Sequence, residues 1–150
     1  YMQNIINVLL NSQFILCIQR WNETLLSVAN TEAEIETLLL EKGLAGVIQL
    51  LAETANELLP IQVDEITTFE RALSSPTVFS RFYRISHLKK DIDLSWLITS
   101  VPVKVCSSPQ LGWVIDHGGT IREIYIDQTG DLINSININF DVCESIAQND

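Results

Sequence analysis

The sequence predicts an α+β domain: an N-terminal helical layer of about five helices packed on a C-terminal antiparallel meander of three to four strands. Three observations carry this. Apolar residues recur at helical spacing through the first hundred positions. Ile136, Ile138 and Phe140 alternate with Ser135, Asn137 and Asn139, the period-two mark of a strand with one wet face. Between them, Trp113–Gly119 and Tyr125–Gly130 each contain Ile-Asp-x-x-Gly. Asp opens a turn by accepting a backbone hydrogen bond, and Gly closes it where φ must be positive. The 150 residues are expected to form one domain, with helices over about 2–100 and sheet over about 101–142.

From the N-terminus, Phe14, Cys17, Ile18, Trp21, Leu25 and Val28 share one helical face, within a helical stretch from Met2 to Ala29. Thr31-Glu32-Ala33-Glu34 reads as a capping box, and Gly43 is a good residue to end that helix. A second helix from Leu44 carries Val47, Ile48, Leu51, Ala55 and Leu58 on one side, up to Pro60. Ile61-Gln62-Val63 is a short extended piece, and Asp64 caps a helix through Leu73. Ser75-Pro76 starts another over Thr77–Leu88, because Ser caps and Pro suits the first helical position. Asp91 or Asp93 caps a last short helix with Leu94, Leu97, Ile98 and Val101 on one face.

Pro102 is expected to stop that helix, and Val101, Val103 and Val105 to enter the sheet. The meander then runs Gly112–Asp116, Thr120–Ile126 and Leu132–Asp141. The middle strand is imperfect: Ile124 and Ile126 lie on one face, Ile121 with Glu123 and Tyr125 on the other. A bulge or a second covered face accounts for that. The segment Cys143–Asp150 is polar and is expected to fray. Asp127, Thr129 and Asp131 read as turn chemistry, since a calcium loop of EF type needs a distal Glu that is missing.

The formal net charge of −10 disfavours general nucleic-acid binding, because phosphate backbones are repelled. The charge is segregated. Asn22–Glu70 holds ten acids against Lys42, Arg71–Lys104 holds six bases against Asp91 and Asp93, and the tail from Val105 holds seven acids against Arg122. Only 19% of residues are charged, against about a quarter in average domains, so surplus apolar surface points to a partner or self-association. Cys17, Cys106 and Cys143 lack metal spacing and read as reduced thiols of a cytoplasmic protein, with a Cys106–Cys143 disulfide left open. No signal peptide or membrane span is evident.

Candidate sites are few. Arg81, Arg84, His87, Lys89 and Lys90 lie among Phe79, Phe82 and Tyr83 and are candidate anion or ligand contacts. Glu32, Glu36, Glu53 and Glu57 on the acidic helices are candidate partner contacts. No catalytic triad elbow, zinc motif or phosphate-cradling loop occurs, so no catalytic residue, metal or cofactor is expected. The composition therefore predicts a non-enzymatic, self-associating cytoplasmic interaction module: a regulator, adaptor or assembly factor without membrane contact. The alternatives are a small-ligand or sensory domain with a pocket between sheet and helices, an acidic inhibitor or immunity-type protein, and a small enzyme assembled from His117, Asp116 and Cys106.

Overall fold

The computed structural model describes residues 32–149, with side chains from Leu40 onward. The helix read over Met2–Ala29, the Thr31 cap and Cys17 lie outside the described residues. Helix α1 spans Glu32–Leu58 and is broken at Gly43, whose φ of 70° and ψ of 176° leave the helical region. The stop expected at Gly43 is present: two helical segments meet across it, and α1 denotes both. Beyond it, Val47, Ile48, Leu51 and Ala55 are buried against the sheet. Each large aliphatic side chain there contributes about 1.5–3 kcal/mol. Asn56 ties α1 to the sheet directly: its amide donates to the Ala72 carbonyl (2.8 Å) and accepts from the Ala72 N–H (2.9 Å).

Strands β1 (Ile61–Gln62), β2 (Thr67–Ser74) and β3 (Val78–Ile85) follow. A 3-10 turn at Lys89–Asp91, helix α2 (Leu94–Ser107) and helix α3 (Pro109–Asp116) lead to β4 (Thr120–Ile126) and β5 (Leu132–Ile138). Helix α4 (Phe140–Gln148) closes the described chain. The sheet order is β1-β2-β3-β4-β5, antiparallel except that β3 and β4 run parallel. A parallel pair needs a long crossover, and α2 with α3 supplies it. α1 packs on β2 and β3, α3 on β4, and α2 on β5, around one core.

The architecture corrects the expected five helices on an antiparallel meander. The described residues form four α-helices and a five-stranded mixed sheet, α+β overall but interleaved. The helices read over 64–73 and 77–88 are β2 and β3. Asp64 does act as a cap, but of a turn: its Oδ1 accepts from the N–H groups of Ile66 (2.9 Å) and Thr67 (2.8 Å). The strand read at 101–105 is the second half of α2. Pro102 is accommodated there, while Leu97, Val101 and Val105 stay on the buried side at four-residue spacing. The strand read at Gly112–Asp116 is α3: Ser108 caps it, Pro109 opens it, and Gly118 at φ 92° follows its end. The tail expected to fray is α4, capped by Asn139 and bonded to α2 by the Cys106–Cys143 disulfide.

Candidate functional site

An open cleft of about 670 Å³ lies across the end of β3, between the Asp64 turn and the start of α2. Its floor is apolar. Ile85 and Leu97 are buried there, while Ile66 and Trp96 stand 41% and 51% exposed. Acids border it on both sides: Asp64 and Glu65 on one wall, Asp91 and Asp93 on the other. Lys89 and Lys90 share the turn with Asp91 but do not line the cleft.

Short-range hydrogen bonds fix these walls. The Val63 N–H donates to the Thr67 carbonyl (2.7 Å), and the Ser86 N–H donates to the Ile66 carbonyl (2.8 Å), so the Asp64 turn is joined to the end of β3. Asp93 caps α2, accepting on Oδ1 from the Ser95 hydroxyl (2.6 Å) and N–H (3.0 Å), which lowers its pKa. The turn at 87–91 is held from behind by Asp127. That buried carboxylate accepts from the Thr129 hydroxyl (2.6 Å) and the N–H groups of Thr129, Asp131 and Lys89 (2.8, 3.0 and 3.1 Å). The Thr129 hydroxyl leads the groups that pull its pKa down to about 2.

In the core of the sheet, Arg81 on β3 meets Glu123 on β4 in register, both 1% exposed. The guanidinium is bidentate: Nε donates to Oε2 (3.1 Å) and Nη2 to Oε1. Phe69, Tyr83 and Tyr125 stack beside it with ring centroids 4.9 and 5.1 Å apart. Burial lowers the Arg81 pKa and raises those of Tyr83 and Tyr125.

The candidate anion residues therefore do not converge. Arg81 is in the core. Arg84 lies on the opposite sheet face, where it donates to both Glu70 carboxylate oxygens (2.6 and 3.3 Å) and the Asp127 carbonyl (3.1 Å). Hydrogen bonding to Glu70 raises the Arg84 pKa. His87 lines the cleft, whereas Lys89 and Lys90 follow it in the turn without lining it, and all three are exposed. Glu53 and Glu57 are exposed on α1, whereas the side chains of Glu32 and Glu36 lie outside the described residues. The constellation His117, Asp116 and Cys106 offers no thiol nucleophile, because Cys106 is in the disulfide. His117 instead packs on Trp113 at a tilt of 36° and contacts the Trp113 carbonyl at 2.7 Å. Among the described residues no cluster of His, Cys, Asp or Glu is placed to hold a metal ion. The cleft itself was not read from the sequence. Its one signal was the apolar surplus on α2, where Trp96, Ile98 and Val103 are exposed.

This fold is shared with type II secretion pilotins. The pilotin EpsS of Vibrio vulnificus matches with a TM-score of 0.61 and 18% identity, over 67% of this chain and 91% of that one. The pilotin AspS of Vibrio cholerae matches at 0.59 and 15%, over 70% and 98%. A candidate secreted protein of Pseudomonas aeruginosa matches at 0.60 and 9%, over 67% and 92%. No protein-family model and no curated protein sequence matches the chain.

These likenesses correct the expected cytoplasmic, self-associating regulator. Two of the structures sharing the fold come from a secretion system and the third is described as a candidate secreted protein. The Cys106–Cys143 bond corrects the reduced-thiol reading in the same direction, since such bonds persist in oxidising compartments. Among the described residues no helix is long and apolar enough to cross a membrane.

Proposed function

We propose that this chain is a pilotin-like assembly factor: a non-enzymatic protein, acting outside the cytoplasm, that holds a segment of a secretion-machine subunit in the cleft beside α2. The observation that carries the reading is Trp96, half exposed over an apolar floor on a fold shared with two pilotins. A large aromatic left in water beside an open cleft is a typical interface anchor. The disulfide supports the compartment, and the fold similarity supports the class of partner. The EpsS and AspS pilotins belong to type II secretion systems, so the partner sought is a subunit of such a machine.

The test is in-cell crosslinking in the native host from a photoreactive residue in place of Glu65, which lines the cleft and leaves Trp96 intact. Capture of a secretion-machine subunit, lost when Ile66 is changed to Lys, is the expected result. Capture only of proteins unrelated to secretion, unaffected by Ile66→Lys, would overturn the proposal.

A further inference from the structure

We infer that the outer edge of β5 takes a further strand from a protein partner. The segment is extended and antiparallel, about five uncharged residues long, alternately polar and apolar, with Lys or Arg at its ends. This surface is separate from the cleft, whose lining includes no residue of β4 or β5. It goes beyond the proposed function and does not rest on it.

The pairing of the sheet shows which backbone groups are left over. Among the described residues β5 pairs with β4 alone and ends the sheet. The Thr120 N–H donates to the Thr77 carbonyl (2.8 Å), so the even positions of β4 bond β3 and its odd positions turn to β5. Those odd positions, Ile121, Glu123 and Tyr125, pair with Ile138, Ile136 and Asn134. Ser135 and Asn137 lie between, and their N–H and C=O groups therefore point away from the sheet. The Ser135 N–H agrees, since its described acceptor is Oδ1 of the neighbouring Asn134 (2.8 Å). The other three groups have no partner among the described hydrogen bonds. A strand is the element that offers a matching row of donors and acceptors.

The fold treats its two sheet edges differently. At the β2 edge, β1 covers Thr68 and Phe69, and the Asn56 amide takes both the N–H and the C=O of Ala72. Covers, charges and prolines are the usual means of keeping an edge from pairing. The β5 edge carries none of them. Leu132–Phe140 contains no charged residue, proline or glycine, and Ser135 and Asn137 are exposed. Asn134 Oδ1 is a local stand-in for a partner carbonyl, and a side-chain rotation releases it.

The side chains set the chemistry of the segment. In an antiparallel strand the residues opposite Ser135 and Asn137 share their sheet face and meet polar neighbours. The alternate residues lie on the face of Asn134, Ile136 and Ile138, beside the core, where apolar groups fit. Asp131 and Asp141 are exposed near the two ends of the edge, so cations are favoured there.

The test is a titration of the isotope-labelled full chain, read by amide NMR, with designed peptides in which Thr and Val alternate between terminal lysines. One is unmodified, one is N-methylated on its threonines, and one on its valines. In antiparallel docking the threonines turn their backbone to β5 and the valines turn theirs away. The unmodified and valine-methylated peptides should bind, with shifts centred on Ser135 and Asn137. The threonine-methylated peptide should bind at least about tenfold more weakly. Replacing the lysines by glutamates should also weaken binding, with the gap closing at high salt. Ser135→Pro removes an outward donor and no bond to β4, and should weaken the unmodified peptide. The methylated peptides leave the chain untouched, so the test stands even where that variant fails to fold. No binding, shifts centred elsewhere, any methylation result other than a threonine-only loss, or equal affinity for the glutamate peptide would each overturn the inference. So would an Asn137 amide already protected from exchange without peptide, since a second copy or another part of this chain would then hold the edge.

Discussion

Arg81 and Glu123 form a buried ion pair at the centre of the sheet. Each is a charge removed from water, and each is tolerable only because the other is within hydrogen-bond distance. Arg81 Nη1 is buried without a partner, so the pair is already incompletely compensated. Arg81→Met or Glu123→Leu alone should destabilise by about 3–5 kcal/mol in denaturant unfolding, because either leaves an unpaired buried charge. The double variant should recover most of that loss; equal additivity would show that packing, and not charge, sets the cost. Asp127 makes a second residue-scale prediction. Its folded pKa falls from 3.8 to about 2, below the unfolded value. Its contribution to stability is therefore complete above about pH 4 and is lost as pH falls through about 2. Asp127→Asn should lower the melting temperature at neutral pH and flatten the dependence between pH 4 and 2. An unchanged acid limb would reject this carboxylate as its source.

Among the elements, α4 is the one with the least packing of its own. None of its residues is fully buried, and Phe140 is half exposed. The disulfide, which closes a separation of 37 residues, joins it to α2. Cys106→Ser with Cys143→Ser should cost about 2–4 kcal/mol, mainly by freeing the unfolded chain. Amide exchange should rise first in α4, because its remaining anchors are the Asn139 cap and the half-buried Val142. A variant with unchanged exchange there would show that side-chain packing alone holds α4. Elements were also where the sequence misled. Val78, Phe82 and Ile85 fit a helical stripe, and the alternation that marks β3 was hidden because Arg81 takes a covered-face position among Phe79, Tyr83 and Ile85. β4 was read with its bounds, Thr120–Ile126, and the ion pair explains its imperfect pattern: the covered face is Ile121, Glu123 and Tyr125, and a glutamate on that face looks like a wet one until its partner is known.

On the scale of the whole molecule, charge and apolar surface are arranged around the cleft. The chain carries −10 overall, and four of its acids border an apolar floor that Trp96 leaves half open. Trp96→Ala should change folding stability by less than about 0.5 kcal/mol, since half of the ring is already in water and its one described polar contact is Lys104 at 5.2 Å. It should nevertheless abolish partner capture. A large stability loss with capture intact would make Trp96 a core residue.

What the sequence determined by itself is local. The Asp127–Gly130 turn joins β4 and β5, with Asp127 accepting from Thr129 and Asp131. Gly43 breaks α1, Asp93 caps α2, and β5 begins near Leu132. Each depends on residues within a few positions of one another, so the pattern is legible without the fold. The tertiary structure decided the rest. It ran β3 parallel to β4, let Arg81 and Glu123 occupy core positions as a pair, brought Cys106 to Cys143, and set Asp64 and Glu65 across a cleft from Asp91 and Asp93. These are non-local pairings between groups that each look solvent-exposed or reactive alone. Burial of a charge is favourable only once its partner is in place, and a disulfide needs its two cysteines brought within bonding distance; only the fold does either.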